Sequence, residues 1–253
     1  MRDLVGAQTV GACVEDQKQV MGTDNAIQRT SNGALFFRAI DNRVLFSNAT
    51  QTWINGPTGL VTRPNTQRFE WEGDRQMIEG LQQGGYVVYF RHGATDNSQQ
   101  DTDPNNLADC TTQRNLTDAG RAQGRAIGEA WTKLKIPVGS VLSSQYCRAL
   151  EYSRLAFNQA TPEPNLNLPD PLTDEVKAQH TAVVQKLIST PPPPGQNSIL
   201  VAHSPNIRLA ANVDLAVEGS AAVFKVDAVG AQKLIARVLP DDWTTLAQAL
   251  SSP

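Results

Sequence analysis

Two absences bound this sequence first. No apolar run approaches the roughly 20 residues that a membrane-spanning helix needs. There is no basic excess either: the 253 residues carry a formal net charge of -3, which argues against a nucleic-acid groove. Histidine and cysteine are scarce, three of each. The odd cysteine count leaves one over if two pair, and free thiols are the plain reading of Cys13, Cys110 and Cys147. A hydrophobic share of 40% is enough for a packed core and excludes a disordered chain. The length suits one substantial α/β domain with a small appendage. The opening "MRDLVGAQTV" has no long apolar core of the signal-peptide kind and carries Asp3, while "VGAC" at Val10 to Cys13 is similar to the end of a lipoprotein signal.

Composition then divides the chain. Residues 1–72 are rich in Asn, Thr, Gly and aromatics and have little helical periodicity. "GALFFRAIDNRVLFSN" predicts two short strands, Ala34–Ala39 and Arg43–Ser47, around an Asp41-Asn42 turn. "TWINGPTGL" has turn chemistry in Asn55-Gly56-Pro57 and Gly59. This region is expected to be a small β-rich extension, with an independent adhesion module as the alternative. Residues 73–253 form the expected main domain, entered by a helix near Arg75–Gln82.

In that domain strands and helices alternate. Tyr86–Phe90 is a continuous apolar strand, as expected in a sheet covered on both faces. A long polar loop runs from Ala94 to Asn115. Helices are expected over Asp118–Lys133, with Thr117 as cap, over Tyr146–Asn158, and over Thr173–Ser189, stopped by Pro191–Pro194. Strands are expected at Val138–Leu142, at Ser198–Ala202, and at 220–226 and 231–238 around Gly230. The alternation predicts a three-layer α/β/α domain with a mostly parallel central sheet. In such sheets ligands bind beyond the carboxyl ends of the strands.

The strand ends carry unusual residues. Tyr86–Phe90 ends in Arg91-His92-Gly93, Ser198–Ala202 ends in His203, and Arg148 follows Val138–Leu142 within about one helical turn. A guanidinium matches phosphate oxygens in a fork and keeps its charge at any working pH. An imidazole can attack phosphorus and form a covalent phosphohistidine. Gly93 has no Cβ, so the backbone could approach a bound oxyanion. Each residue alone has a plainer explanation: "RHG" is a three-residue match, His203 could be a core histidine, and Arg148 a helix-face charge. His180, in the polar helix "EVKAQHTAVV", reads as surface. The joint pattern carries the weight, since two of only three histidines stand directly after buried strands.

Between Gly85 and Trp243 four motifs, in order, resemble the histidine phosphatase superfamily, the phosphoglycerate mutase-like fold. "YFRHGAT" resembles the family's strand-then-RHG signature. "NLTDAGRAQG" resembles its L-T-x-x-G-x-x-Q-A helix start, with Gly124 where Ala is usual. "VLSSQYCRALEYSRLAF" resembles the S-S-P-x-x-R-A-x-x-T-A segment, with Gln145 for Pro and Ser153 for Thr. "ILVAHSPNI" resembles the segment carrying the second histidine. The resemblance implies that His92 is the phosphorylated nucleophile and that Arg91, Arg148, His203 and Gly93 form the phosphate pocket. It implies no cofactor and no metal, and a small phosphorylated substrate as the only partner.

The general acid is not fixed by the motifs. One branch of the superfamily places an Asp directly after the second histidine, and here that residue is Ser204. The other branch draws a Glu from a loop, for which "PLTDEV" offers Asp174 and Glu175. Glu218, in "AVEGSAAVF" just before a strand, ranks slightly ahead of both, and a site with no such acid, as in some small members of the superfamily, is the remaining alternative. Extracytoplasmic bacterial members of the superfamily with a "DC…QRNL…YCR" arrangement, including those associated with lipopolysaccharide-core sugar phosphates, look similar. That likeness implies a Cys110–Cys147 disulfide, Cys13 left free, and an extracytoplasmic location. The expected activity is a metal-independent phosphomonoesterase. A phosphoglycerate mutase-like phosphotransferase and a degenerate phosphate-sugar or surface-binding protein are the alternatives. Substrate and oligomeric state stay open.

Overall fold

The computed structural model describes residues 1–20, 25–38, 43–56, 59–65, 71–169 and 173–250. The chain divides into two compact units, Met1–Gly73 and Asp74–Pro253.

The first unit begins with two single-turn helices, α1 (Arg2–Val5) and α2 (Ala7–Val10). Six strands follow: β1 (Lys18–Gln19), β2 (Ala26–Thr30), β3 (Gly33–Arg38), β4 (Arg43–Ser47), β5 (Gln51–Gly56) and β6 (Gly59–Pro64). Each pairs antiparallel with the next, in sequence order across the sheet. The register aligns Ile27, Phe36, Leu45, Ile54 and Val61 in one cross-strand column. Leu35, Phe46 and Trp53 align on the opposite face, where Phe46 is fully buried. Such columns are the stabilising unit of an antiparallel sheet. The turn-rich "TWINGPTGL" is therefore β5 and β6 joined through residues 57–58, which lie outside the described residues. The Asp41-Asn42 turn also lies outside them. The turn residues Asn55-Gly56-Pro57 and Gly59 were legible, and the strands β5 and β6 flanking them, which mix polar and apolar residues, were not.

Helix α3 (Trp71–Gln83) crosses the boundary, and the second unit continues with β7 (Tyr86–Arg91), α4 (Asp118–Lys133), β8 (Val138–Ser143), α5 (Cys147–Phe157), β9 (Thr161–Pro162), α6 (Asp174–Ser189), β10 (Asn197–Ala202), α7 (Ser204–Ala211), β11 (Ala221–Val226), β12 (Gln232–Val238) and α8 (Pro240–Leu250). The sheet order is β12-β11-β7-β10-β8-β9. The β7–β10, β10–β8 and β8–β9 pairs are parallel, and β11 is antiparallel to both its neighbours. Only β11 therefore runs against the rest, and the sheet is mostly parallel as expected.

Strand alternation builds two cores. Val88 and Phe90 pack with Met77, Leu81, Trp131, Phe157 and Trp243 from α3, α4, α5 and α8. Val87 and Tyr89 pack on the other face with Val184, Ile188 and Ile207 from α6 and α7. A strand covered on both sides must be apolar throughout, which is why Tyr86–Phe90 shows no alternation. Helices α7 and α8 were not expected from periodicity. Each carries a proline in its first turn, Pro205 and Pro240. Proline is tolerated there because that N–H has no helical partner.

Candidate active site

Three parallel strands release their chains side by side. In the register Ala202 lies opposite Arg91, and Val201 opposite Ser143. The ladder continues one step past the strands. The His92 N–H donates to Ala202 O at 2.9 Å, and the Ser144 N–H to Val201 O at 2.9 Å. His92, His203 and Ser144 are thereby brought to one edge. The two imidazole centroids are 5.3 Å apart. From the other side, the Arg91 N–H donates to Ser220 O and the Gly219 N–H to His92 O. These contacts seat Glu218 against Arg91, with Nη2 to Oε1 at 3.1 Å.

The His92 ring is nearly sealed from solvent and its tautomer is set by geometry. Nδ1 lies 2.9 Å from Gly93 O. A carbonyl only accepts, so Nδ1 carries the hydrogen and Nε2 keeps a lone pair. Burial, then the charge of Arg148, pushes the His92 pKa down to about 3. A neutral, nucleophilic imidazole results at any working pH. His203 is also held well below its ordinary value, by burial first and then by His92 and the three arginines 148, 114 and 91. Its Nε2 lies 2.9 Å from Ser144 Oγ. The Ser144 hydroxyl donates to Asn167 Oδ1, which also accepts the Gln145 N–H. The serine oxygen therefore accepts from His203 Nε2–H. The Tyr146 ring stacks edge-on against His203 at 5.0 Å.

The arginines are anchored by their terminal nitrogens. Arg91 Nη1 donates to the carbonyls of Leu215 and Ala216, and Nη2 to Glu218. Arg148, 1% exposed, forks onto Asp101 with Nη1–Oδ1 at 2.8 Å and Nη2–Oδ2 at 3.0 Å. Its Nη1 also donates to Arg114 O, and its guanidinium lies 4.5 Å from the Tyr146 ring centroid. The Nε–H groups of Arg91, Arg114 and Arg148 are buried without a partner among the described residues. A buried donor left unpaired costs free energy unless a ligand accepts from it. Unpaired donors beside two neutral imidazoles suit an anion.

Glu218 faces this site. Burial pushes its carboxyl up, but the Thr95 hydroxyl at 2.8 Å, the Thr95 N–H at 2.9 Å and the Arg91 charge hold it below its ordinary value. The other two expected acids stand elsewhere. Asp174 and Glu175 are exposed in the first turn of α6, where Asp174 pairs with Lys177 at 3.2 Å. His180 differs from expectation: it is half-buried, its Nε2 has no partner among the described residues, and burial lowers its pKa. It sits on α6, which turns one face to the second core, so a polar-looking helix still hides some positions.

Gly93 is also required for packing. A Cβ there would lie 2.5 Å from the Tyr152 ring and 2.9 Å from Gly120 O. The first turn of α4 presses onto this backbone. The Thr117 N–H donates to Ala94 O, and Gln123 Oε1 accepts the Ala94 N–H. Leu116, Thr117, Gly120 and Gln123 thus clamp the segment after the RHG motif.

The 94–115 loop is tied down along its length. Asp96 N–H bonds Asn115 O, and Thr102 N–H bonds Thr112 O. A disulfide joins Cys110 and Cys147 with Cα atoms 5.7 Å apart, while Cys13 is free and exposed. Beside the disulfide Gln113 Oε1 accepts the Cys147 N–H at 2.9 Å. Sequence reasoning missed Asp101, Arg114, Thr95, Ser144 and Asn167. Arg114 and Ser144 stood inside motifs and could have been flagged. Asp101 had no signal at all. A pocket of about 430 Å³ opens over the site, lined by Arg91, Asn97, Arg114, Gln123 and Glu218 among others.

No family model matches the sequence, and no curated protein matches it. Among solved structures the chain is similar to the protein histidine phosphatase SixA complexed with tungstate, at 18% identity and a TM-score of 0.42, covering 62% of this chain and 98% of that one. It is similar to TTHB049 from Thermus thermophilus at 19% identity and 0.41, covering 60% and 98%. A phosphoserine phosphatase from Entamoeba histolytica in complex with 3-phosphoglyceric acid matches at 12% identity and 0.45, covering 61% and 96%. At such identities and scores the chemistry has to come from the residues themselves.

Proposed function

We propose that this chain is a phosphomonoesterase of the histidine phosphatase type, working without a metal through a phosphohistidine on His92. One observation carries the reading. A neutral imidazole with a free Nε2 lone pair is buried beside arginine Nε–H donors that lack partners.

The Nε2 lone pair attacks phosphorus as the P–O ester bond breaks. The Nε–H donors of Arg91 and Arg148 take up the charge spread over the equatorial oxygens. The arriving dianion draws a proton onto His203 Nδ1, making a further donor, and raises the Glu218 carboxyl enough for it to be protonated. Glu218 then gives its proton to the leaving alkoxide. In the second half, water attacks phosphorus, Glu218 takes its proton, the P–N bond breaks, and neutral His92 and inorganic phosphate remain.

The Cys110–Cys147 disulfide supports an oxidising, extracytoplasmic compartment, since disulfides persist there and are rare among cytosolic thiols.

The test uses purified protein and a panel of phosphomonoesters in EDTA. Turnover is expected, and protein quenched during it should carry acid-labile, base-stable phosphate. His92→Ala should lose both. Near-normal kcat in His92→Ala would end the covalent reading, and turnover abolished by EDTA would end the metal-free one.

A further inference from the structure

The proposed chemistry leaves one cation without a task. The Arg114 guanidinium makes no hydrogen bond among the described residues. Its Nε is buried and unpartnered, and its Nη2 comes only within 3.9 Å of Glu218 Oε1. Its backbone, by contrast, is fixed on both sides. The Arg114 N–H donates to Asp101 Oδ1 at 3.0 Å, and its carbonyl accepts Arg148 Nη1 at 3.1 Å. The neighbouring Gln113 is bonded to Cys147 beside the disulfide. A pinned backbone therefore presents an unsatisfied guanidinium to the pocket.

Depth separates Arg114 from the other arginines. Side-chain exposure rises from 1% at Arg148, through 18% at Arg91, to 30% at Arg114. His92 and Arg148 are almost fully buried, at the floor of the site, whereas Arg114 lines the open pocket with Asn97 and Gln123. A phosphoryl group bound at the floor would point its organic portion there. Charge gives the same answer. During phosphoryl transfer Arg91, Arg114, Arg148 and protonated His203 are positive. Asp101 and the phosphoryl dianion carry three negative charges, and Glu218 holds the proton it will donate. One positive charge is left over, and a charge in a concave, partly dry site favours an anion of opposite sign.

We infer that Arg114 reads a second anionic group on the substrate, so that the preferred substrates are phosphate monoesters of polyols bearing a carboxylate or second phosphate beyond the ester. Asn97 and Gln123 stand beside it to meet hydroxyls. The inference rests on the phosphatase reading for its kinetic test, and on binding alone for its second test.

Three esters that differ only at carbon 1 make the comparison: glucitol 6-phosphate, 6-phosphogluconate and glucitol 1,6-bisphosphate. Wild-type kcat/KM should favour at least one of the two doubly anionic esters by about tenfold or more, the worth of one hydrogen bond to a charged group. Which one it favours tells carboxylate from phosphate. Arg114→Gln should reduce that preference to about twofold or less, while turnover of p-nitrophenyl phosphate changes by less than about threefold. Equal loss on all four substrates would overturn the inference, because Arg114 would then serve the transferred phosphoryl group. No preference in the wild type would overturn it as well. If the wild type turns over none of them, calorimetric titration with the same three esters decides. A tighter doubly anionic ligand, weakened in Arg114→Gln, would support Arg114 as the reader and sink only the phosphatase reading. Equal affinities would sink the inference.

Discussion

Each unit of this molecule is built on a six-stranded sheet, and the two sheets put sequence to opposite uses. In the first, strand order follows chain order and every pair is antiparallel. Its contacts are local, so it gathers neighbours and little else. In the second, β7 lies between β11 and β10, and β10 between β7 and β8. The crossovers bring Arg91-His92, Ser144, His203 and Glu218 to one edge from segments spread over more than a hundred residues of chain. The buried-on-both-faces strands are what make this edge: only where the chain leaves the sheet can a charged side chain escape the core. All three histidines belong to this second unit. The comparison teaches that topology concentrates chemistry, while strand number and length do not.

The sharpest way to test that contrast is to damage the edge without changing its charge. Arg148→Lys keeps the cation and removes the fork onto Asp101 and the Nε–H donor. Losing one preorganised contact of this kind should cost about 3 kcal/mol, roughly a hundredfold in kcat. Asp101→Asn should cost less, because the amide can still hold one terminal nitrogen of Arg148. A single-turnover measurement of phosphoenzyme formation reads both. Lys at 148 within about threefold of wild type would make Arg148 a packing residue.

How much of this was legible beforehand follows the same divide. Helix α4 was read to both its ends because Thr117 caps it and its apolar spacing is regular. The strand ends at Arg91 and Ala202 were read within a residue, since apolar runs stop there. Most of the first sheet was missed: β1 is only two residues long, and β2, β5 and β6 mix polar and apolar residues and sit among turn signals. Helices α7 and α8 were missed because Pro205 and Pro240 look like breakers. Asp101 was missed for a deeper reason. Its partner Arg148 lies 47 residues away, and only the folded 94–115 loop brings the two together. A carboxylate in a polar loop gives no sign of such a partner.

A pH series sharpens the comparison at intermediate effect. The folded-state pKa values of His92, His203 and His180 all lie below the ordinary imidazole value, with burial as the first cause. The unfolded chain therefore binds more protons than the folded one between that value and the lowered ones. Stability from these groups is fully present above about pH 6.5 and is lost as pH falls from there toward the lowered folded values. Carboxylates titrate little between pH 7 and 5, so the loss in that window reports imidazoles. The midpoint of the second unit's melting should fall across it, and the first unit, with no histidine, should hold steady. Replacing His92 and His203 together by Asn should flatten most of the slope. An unchanged slope in that double variant would assign it elsewhere.

The smallest expected effect on turnover comes from the largest change made in the first unit. Phe46 is fully buried, packs on Trp53 at 5.4 Å between ring centroids, and stands opposite Leu35 in the register. Phe46→Ala should remove about 3–5 kcal/mol from that sheet by leaving a cavity at the centre of a local structure. A sheet whose strands pair only with sequence neighbours has no distant strand to hold it once the central pair loosens. Trypsin should then cut at Arg29 or Arg43, which lie on β2 and β4, far faster than in the wild type. If the chemistry is confined to the crossover sheet, kcat for p-nitrophenyl phosphate should stay within about twofold, since surface or remote changes seldom exceed half a kilocalorie at an independent site. A parallel fall of kcat and protease resistance would break the comparison, because the meander would then be shaping the active-site edge as well.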